Sequence, residues 1–122
     1  MWKDGAPNQE GKMVYPDGSY YVGTFTNEKR NGEGKLYDSD GKLVYSGEWQ
    51  DDKKHGKGIL ELNNETYEGD FHRDKRDGRG TIRYPDGTRF DGDFKKDMKN
   101  GEGKYFDPKG KVKKVAFFEQ GE

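Results

Sequence analysis

Six aromatic residues recur along the chain at an almost fixed interval: Trp2, Phe25, Trp49, Phe71, Phe94 and Phe118 are separated by 23, 24, 22, 23 and 24 residues. A second series keeps step with them, since Gly11, Gly34, Gly58, Gly80 and Gly103 each lie nine residues after one of these aromatics. Self-similarity at a fixed period of this size marks a stack of small structural units, each burying its apolar surface against the next, rather than one closed core. Function in such a chain belongs to a repeated surface and not to a unique pocket.

The composition bears this out. Hydrophobic residues make up 27% of the sequence and charged residues 39%, too little apolar material for a thick core. Disorder would follow if net charge were high and aromatics scarce. Here the formal net charge is −1, and aromatic residues, at 14%, supply half of the hydrophobic content. Large rings give much contact area per residue, so the chain reads as ordered but thin. No stretch is basic without interleaved Asp or Glu, which removes the general attraction that would point to nucleic acid. There is no cysteine, so disulfide scaffolds and thiolate chemistry are excluded. The sequence has no apolar run of transmembrane length and no apolar leader at its start, and the expectation is a soluble cytoplasmic protein, with a place at a membrane surface or the cytoskeleton as the variant.

The clearest unit runs from Tyr67 to Gly87. In Tyr67-Glu68-Gly69-Asp70-Phe71, alternation places Tyr67, Gly69 and Phe71 on one face and the two carboxylates on the other. After a polar loop over 72–77, Gly78, Gly80, Ile82 and Tyr84 share a face opposite Arg79, Thr81 and Arg83. The same alternation recurs at 21–25, 45–49 and 90–94. Glycine weakens a strand interior, and its fixed place on the apolar face predicts a seat where a ring from the neighbouring strand meets bare backbone. Turn chemistry marks the unit ends: Tyr15-Pro16-Asp17-Gly18 and Tyr84-Pro85-Asp86-Gly87 suit type I turns, and Asp38-Ser39-Asp40-Gly41 and Asp107-Pro108-Lys109-Gly110 stand at the same phase. Gln9 and Asn63-Asn64-Glu65 depart from the pattern, which predicts the least regular hairpins there. The fold class that results is all-β, an elongated, twisted, single-layer antiparallel sheet of repeated hairpins, each unit advancing roughly 10 Å. One domain covers 1–122, with a partial unit at 2–20, full units at 21–44, 45–66, 67–89 and 90–113, and a partial unit at 114–122.

The pattern Tyr-x-Gly-x-Phe/Trp, then a polar loop with paired basic residues, then Gly-x-Gly, then Tyr-x-Asp-Gly, resembles the MORN repeat. Tyr45-Ser46-Gly47-Glu48-Trp49 followed by Lys53-Lys54-His55-Gly56-Lys57-Gly58 carries the resemblance closely, as does the stretch from Tyr67 to Gly87. The resemblance implies an interaction scaffold without catalytic activity, with roles in protein binding, self-association and contact with acidic phospholipids. The chain is also similar to a bacterial antitoxin-like repeat family, through Gly41-Lys42-Leu43-Val44-Tyr45 and Gly110-Lys111-Val112, but that family lacks so regular a Gly-x-Gly.

Two candidate surfaces follow. Tyr21, Tyr45, Tyr67 and Phe90 form one ladder, and Phe25, Trp49, Phe71 and Phe94 a second. A one-layer sheet with no covering helix is expected to leave them as an aromatic groove for a protein or peptide partner, because exposed apolar patches mark interaction sites. The alternative is a basic edge built from Lys29-Arg30, Lys53-Lys54 and Lys75-Arg76, with Met98-Lys99 as a weaker fourth, meeting an acidic membrane. Self-association through the open sheet edges is a third way to use the array. Catalytic, cofactor and metal sites are not expected. His55 and His72 stand alone and 17 residues apart. Asp38-Ser39-Asp40-Gly41 lacks the ligands of a calcium loop, and the Gly-x-Gly pairs precede no helix and lack the third glycine of a dinucleotide fingerprint.

Overall fold

In the computed structural model, residues 9–119 are described; Trp2 and the rest of 1–8, and 120–122, lie outside the described residues. Ten strands run in chain order: β1 (Gln9–Val14), β2 (Tyr20–Thr26), β3 (Lys29–Tyr37), β4 (Leu43–Gln50), β5 (Lys53–Leu62), β6 (Glu65–His72), β7 (Lys75–Arg83), β8 (Arg89–Lys95), β9 (Met98–Phe106) and β10 (Val112–Phe118). They form one sheet in the order β1 to β10, every neighbour antiparallel and every connection a hairpin. At about 4.8 Å per strand the sheet extends on the order of 45 Å across its strands. Among the described residues there is no helix.

Two kinds of turn alternate along the two edges. On one edge, tight two-residue turns at Asn27-Glu28, Asp51-Asp52, Arg73-Asp74 and Lys96-Asp97 have both central residues at positive φ, the backbone that matches the twist of flanking strands. The polar loop expected over 72–77 is therefore only Arg73-Asp74, and Lys75, Arg76 and Asp77 belong to β7. On the other edge the Pro-Asp-Gly turns form as the sequence predicts: Gly18 N–H donates to the Tyr15 carbonyl and Gly87 N–H to the Tyr84 carbonyl. The aspartates cap these turns, Asp17 taking the Ser19 amide and Asp38 those of Asp40 and Lys42. The irregularity expected at Asn63-Asn64 is absent. These two residues adopt a tight turn of their own at positive φ, which asparagine tolerates, and β5 pairs β6 with no register shift. Gln9 likewise enters a β1–β2 ladder without a shift.

Register aligns one glycine from each of nine strands into a row across the sheet: Gly11, Gly23, Gly34, Gly47, Gly58, Gly69, Gly80, Gly92 and Gly103 pair in succession, and Ala116 closes the row on β10. The row exists to receive rings. A Cβ built on Gly34 would fall 2.3 Å from the Tyr21 ring, one on Gly58 2.5 Å from the Tyr45 ring, one on Gly80 2.3 Å from that of Tyr67, and one on Gly103 2.4 Å from that of Phe90. Each ring thus fills the space where the next strand lacks a side chain.

Seated in this way, the two aromatic ladders interlock into one chain of edge-to-face contacts. Phe25, Tyr21, Trp49, Tyr45, Phe71, Tyr67, Phe94, Phe90 and Phe118 follow one another with centroid separations between 5.0 and 5.9 Å. Such pairs add about 0.5–1.5 kcal/mol beyond the area they bury. Tyr15, Leu36, Leu60, Tyr84 and Tyr105 pack against the chain of rings.

The phenol groups are also placed. Tyr21 donates to the Thr24 carbonyl at 2.9 Å, Tyr45 to that of Glu48 at 2.9 Å and Tyr67 to that of Asp70 at 2.8 Å. At these same residues the partner strand bulges, with register jumps at Gly23/Phe25, Gly47/Trp49 and Gly69/Phe71. Where Phe90 removes the hydroxyl, the shift moves to Gly92/Asp93 and Asp93 pairs with Asn100.

Two outcomes are expected. Gly80→Val forces the Tyr67 ring off its seat, an overpacking cost of about 1–3 kcal/mol, whereas Glu68→Val at an exposed position on β6 costs little. Equal melting temperatures for the two variants would show that the glycines are not seats. The second concerns pH. Burial raises Tyr21 to about 12 and raises Tyr45 and Tyr67 also. Unfolded tyrosine ionises near about 10. A folded pKa above the unfolded one gives stability that is complete below the unfolded value and drains as pH rises through the folded value. The melting temperature should therefore hold to roughly pH 9 and fall between about pH 10 and 12, with Tyr45→Phe flattening the fall.

Candidate functional site

The eight aromatics predicted to wall an open groove are the core. Tyr21, Tyr45 and Phe90 are 0% exposed, Trp49, Tyr67, Phe71 and Phe94 3%, and Phe25 7%. The expectation failed on one point of geometry: a one-layer sheet can bury its apolar face when glycine seats let each ring sink beside the next strand. A partner that approaches this side meets what lies over the ladder.

What lies over it is a row of cations. Arg30 stands 4.4 Å from the Trp49 ring centre, Lys54 5.5 Å from Tyr45, Arg76 4.9 Å from Phe94 and Lys99 4.6 Å from Phe90. Cations over ring faces are attracted by the ring quadrupole. Alternation along the strand explains the arrangement, since each basic pair puts its first member outward and its second back over the rings.

Three of these residues also bind the turn of the following unit. The Arg30 amide donates to Asp52 Oδ1 at 2.8 Å, its guanidinium reaches the same oxygen and the Asp52 carbonyl, and the Asp52 amide donates back to the Arg30 carbonyl at 3.0 Å. Lys54 with Asp74, and Arg76 with Asp97, repeat the exchange of amide bonds. Asp52, Asp74 and Asp97, each at positive φ in its tight turn, thus staple their units to the one before. Burial pulls the Lys54 ammonium below the usual lysine range. Burial acts on Lys99 in the same direction, but the hydrogen bond to the Tyr105 hydroxyl together with charge interaction with Tyr84 and Tyr105 outweighs it and raises the group.

The predicted basic edge is divided accordingly. Lys29, Lys53 and Lys75 project into solvent, while Arg30, Lys54 and Arg76 are held by rings and carboxylates. The sequence shows both basic residues of a pair and cannot distinguish their roles without the strand phase.

An opening lies on the ring side. A cavity of about 350 Å³ lies between the units at 45–66 and 67–89, lined by Leu60, Leu62, Tyr67 and Ile82 and rimmed by Asp74, Arg76 and Asp97. Leu62 is 59% exposed at its mouth. Sequence reasoning passed over Leu62, whose signal is an aliphatic side chain at a phase that the other units fill with Tyr15, Asp38, Tyr84 and Asp107. At the C-terminal edge, β10 pairs with β9 and exposes Val112, Val115 and Phe117, the last at 76%.

The structure also brings together two residues that the sequence left apart. Because Gly56 pairs with Phe71, His55 and His72 stand side by side at the end of the β5–β6 ladder, with ring centroids 5.0 Å apart. Among the described residues no group of three or more potential ligands gathers.

Ring-on-glycine seating repeated in register, four cations stacked over rings, and turn-to-turn staples at the same spacing all describe one unit used again and again. The family model for the MORN repeat matches residues 1–20, 21–42, 45–66, 67–89 and 90–112. The chain belongs to the MORN-repeat family. A curated relative is alsin from Rattus norvegicus, 32% identical over 88 residues. That alignment covers 67% of this MORN array and 5% of alsin, so the likeness concerns a small part of the longer protein.

The staples give a measurable expectation. Asp97→Ala leaves the Arg76 amide and Nε without their carboxylate acceptor and should lower stability by about 1 kcal/mol. Lys75→Ala, at the exposed neighbour, should leave the melting temperature nearly unchanged. Similar losses from both substitutions would place the exposed lysines in the same structural role.

Proposed function

We propose that this MORN array is a non-enzymatic interaction scaffold that takes a protein or peptide partner on its ring side, at the opening lined by Leu60, Leu62, Tyr67 and Ile82. The observation that carries this reading is that cavity itself, where an apolar floor and an exposed Leu62 meet a rim of alternating charge at Asp74, Arg76 and Asp97. Buried anchors at the centre of an interface dominate its energy, and a rim of charges sets register. The fitting partner is a segment with one large apolar side chain flanked by polar or charged residues. The buried aromatics contribute by fixing the floor rather than by touching the partner across their faces.

The membrane reading rests on fewer charges than the sequence promised, since the outward set is Lys29, Lys53 and Lys75 and acidic residues share their turns. The two readings separate cleanly by experiment. Leu62→Glu should abolish capture of a protein partner from source lysate while leaving the melting temperature intact, and added salt should matter little. Binding to acidic vesicles that survives Leu62→Glu, but is lost when Lys29, Lys53 and Lys75 are reversed to Glu or when salt screens charges over about 10 Å, would overturn the proposal in favour of a lipid surface.

A further inference from the structure

The unit seams are equivalent along the array, but one of them carries different chemistry. At the end of each inter-unit ladder one residue from the bulged strand stands beside one from the following strand. The register sets Asn31 beside Gln50, His55 beside His72, and Asp77 beside Lys95. Two seams thus hold two amides and a pair of opposite charge. The third holds two imidazoles, the side chain that most commonly ligates metal ions.

We propose that His55 and His72 form a binding site for a divalent transition-metal ion of the kind that prefers imidazole, with zinc the reference case. Two imidazole nitrogens at about 2.1 Å from one ion, at the angle of a tetrahedral site, place their ring centres roughly 5 Å apart. The observed centroid separation is 5.0 Å, with the rings tilted by 49° rather than stacked face to face. The ladder fixes the backbone at both positions: Gly56 pairs with Phe71, and His72 pairs with Lys75 at the hairpin. His55 is half-buried and His72 exposed, so the site is open to solvent, and water completes the coordination. The carboxylate of Glu48 lies against Gly56, the residue after His55, at 2.6 Å from the position a Cβ would take there. It is not counted as a ligand, and register and alternation place Lys53, Lys57 and Lys75 on the same face as the pair. The bound ion would bridge β5 and β6, and so clamp the units at 45–66 and 67–89 at the seam next to the cavity.

The array supplies its own controls. Asn occupies the position of His55 in the unit at 21–44, and Gln occupies that of His72 in the unit at 45–66, so His55→Asn and His72→Gln install residues that this backbone already accepts. Zinc chloride is titrated calorimetrically into chelator-stripped full chain, and melting temperatures are taken in EDTA and in zinc. Expected are one ion bound at the pair, a rise in melting temperature with zinc as native-state binding requires, and identical melting temperatures of all three proteins in EDTA. Each substitution should weaken this binding by at least about tenfold, the loss that even an outer-sphere partner costs, and should cancel the zinc-dependent rise. Wild-type affinity retained by either variant, or a zinc-dependent rise that survives both substitutions, would overturn the assignment.

Discussion

A ring resting on a glycine of the next strand is the contact on which the remaining structure depends. A lone sheet has no second layer to cover its apolar face, and its aromatic side chains would otherwise stand in water. Glycine costs about 0.5–1 kcal/mol in a strand because it surrenders more backbone freedom than other residues. That loss is offset where the missing side chain admits a Tyr or Phe ring, which buries roughly 150–250 Å². The exchange works only if ring and glycine meet in register, and the unbroken glycine row from Gly11 to Gly103 shows that they do.

From this contact the other features follow. Sinking the tyrosines brings their hydroxyls to the backbone of their own strand, where carbonyls freed by the bulge accept them. The bulge in turn needs positive φ at the first glycine of each Gly-x-Gly, as at Gly56 and Gly78, with φ of 90° and 104°. With the rings below the surface, the second basic residue of each pair can lie across them and reach the aspartate of the next turn. The aromatic ladder is therefore a floor, and the side chains at its margins are Leu62, the stapled cations and the residues at each seam.

Because each unit touches only its neighbours, variation at one seam leaves the rest undisturbed. The array can thus carry a specialised position, such as the imidazole pair at 55 and 72, inside a framework whose other units keep amides or charges there. It can equally carry a local opening such as the one beside Leu60 and Ile82. Specificity in a repeat scaffold resides in such departures from the shared pattern, since the shared residues are committed to holding the units together.

The sequence alone determined the architecture. Period, alternation and turn residues are local properties, and Tyr67-x-Gly69-x-Phe71 followed by Gly78-x-Gly80 states which residues share a face before any strand is paired. It also determined that glycines would seat rings, since no other role explains their fixed phase. Tertiary structure decided everything that depended on depth and on contacts between units. Whether Tyr21 or Trp49 is exposed turns on how far a ring sinks beside the adjacent backbone, which composition does not encode. That Arg30 serves Asp52 while Lys29 faces water follows from strand phase carried through a two-residue turn at Asn27-Glu28, and the length of that turn was misread where Arg73-Asp74 replaces a longer loop. His55 and His72, separated by 17 residues, became neighbours only when β5 paired with β6, because proximity across a ladder is set by register and not by distance along the chain.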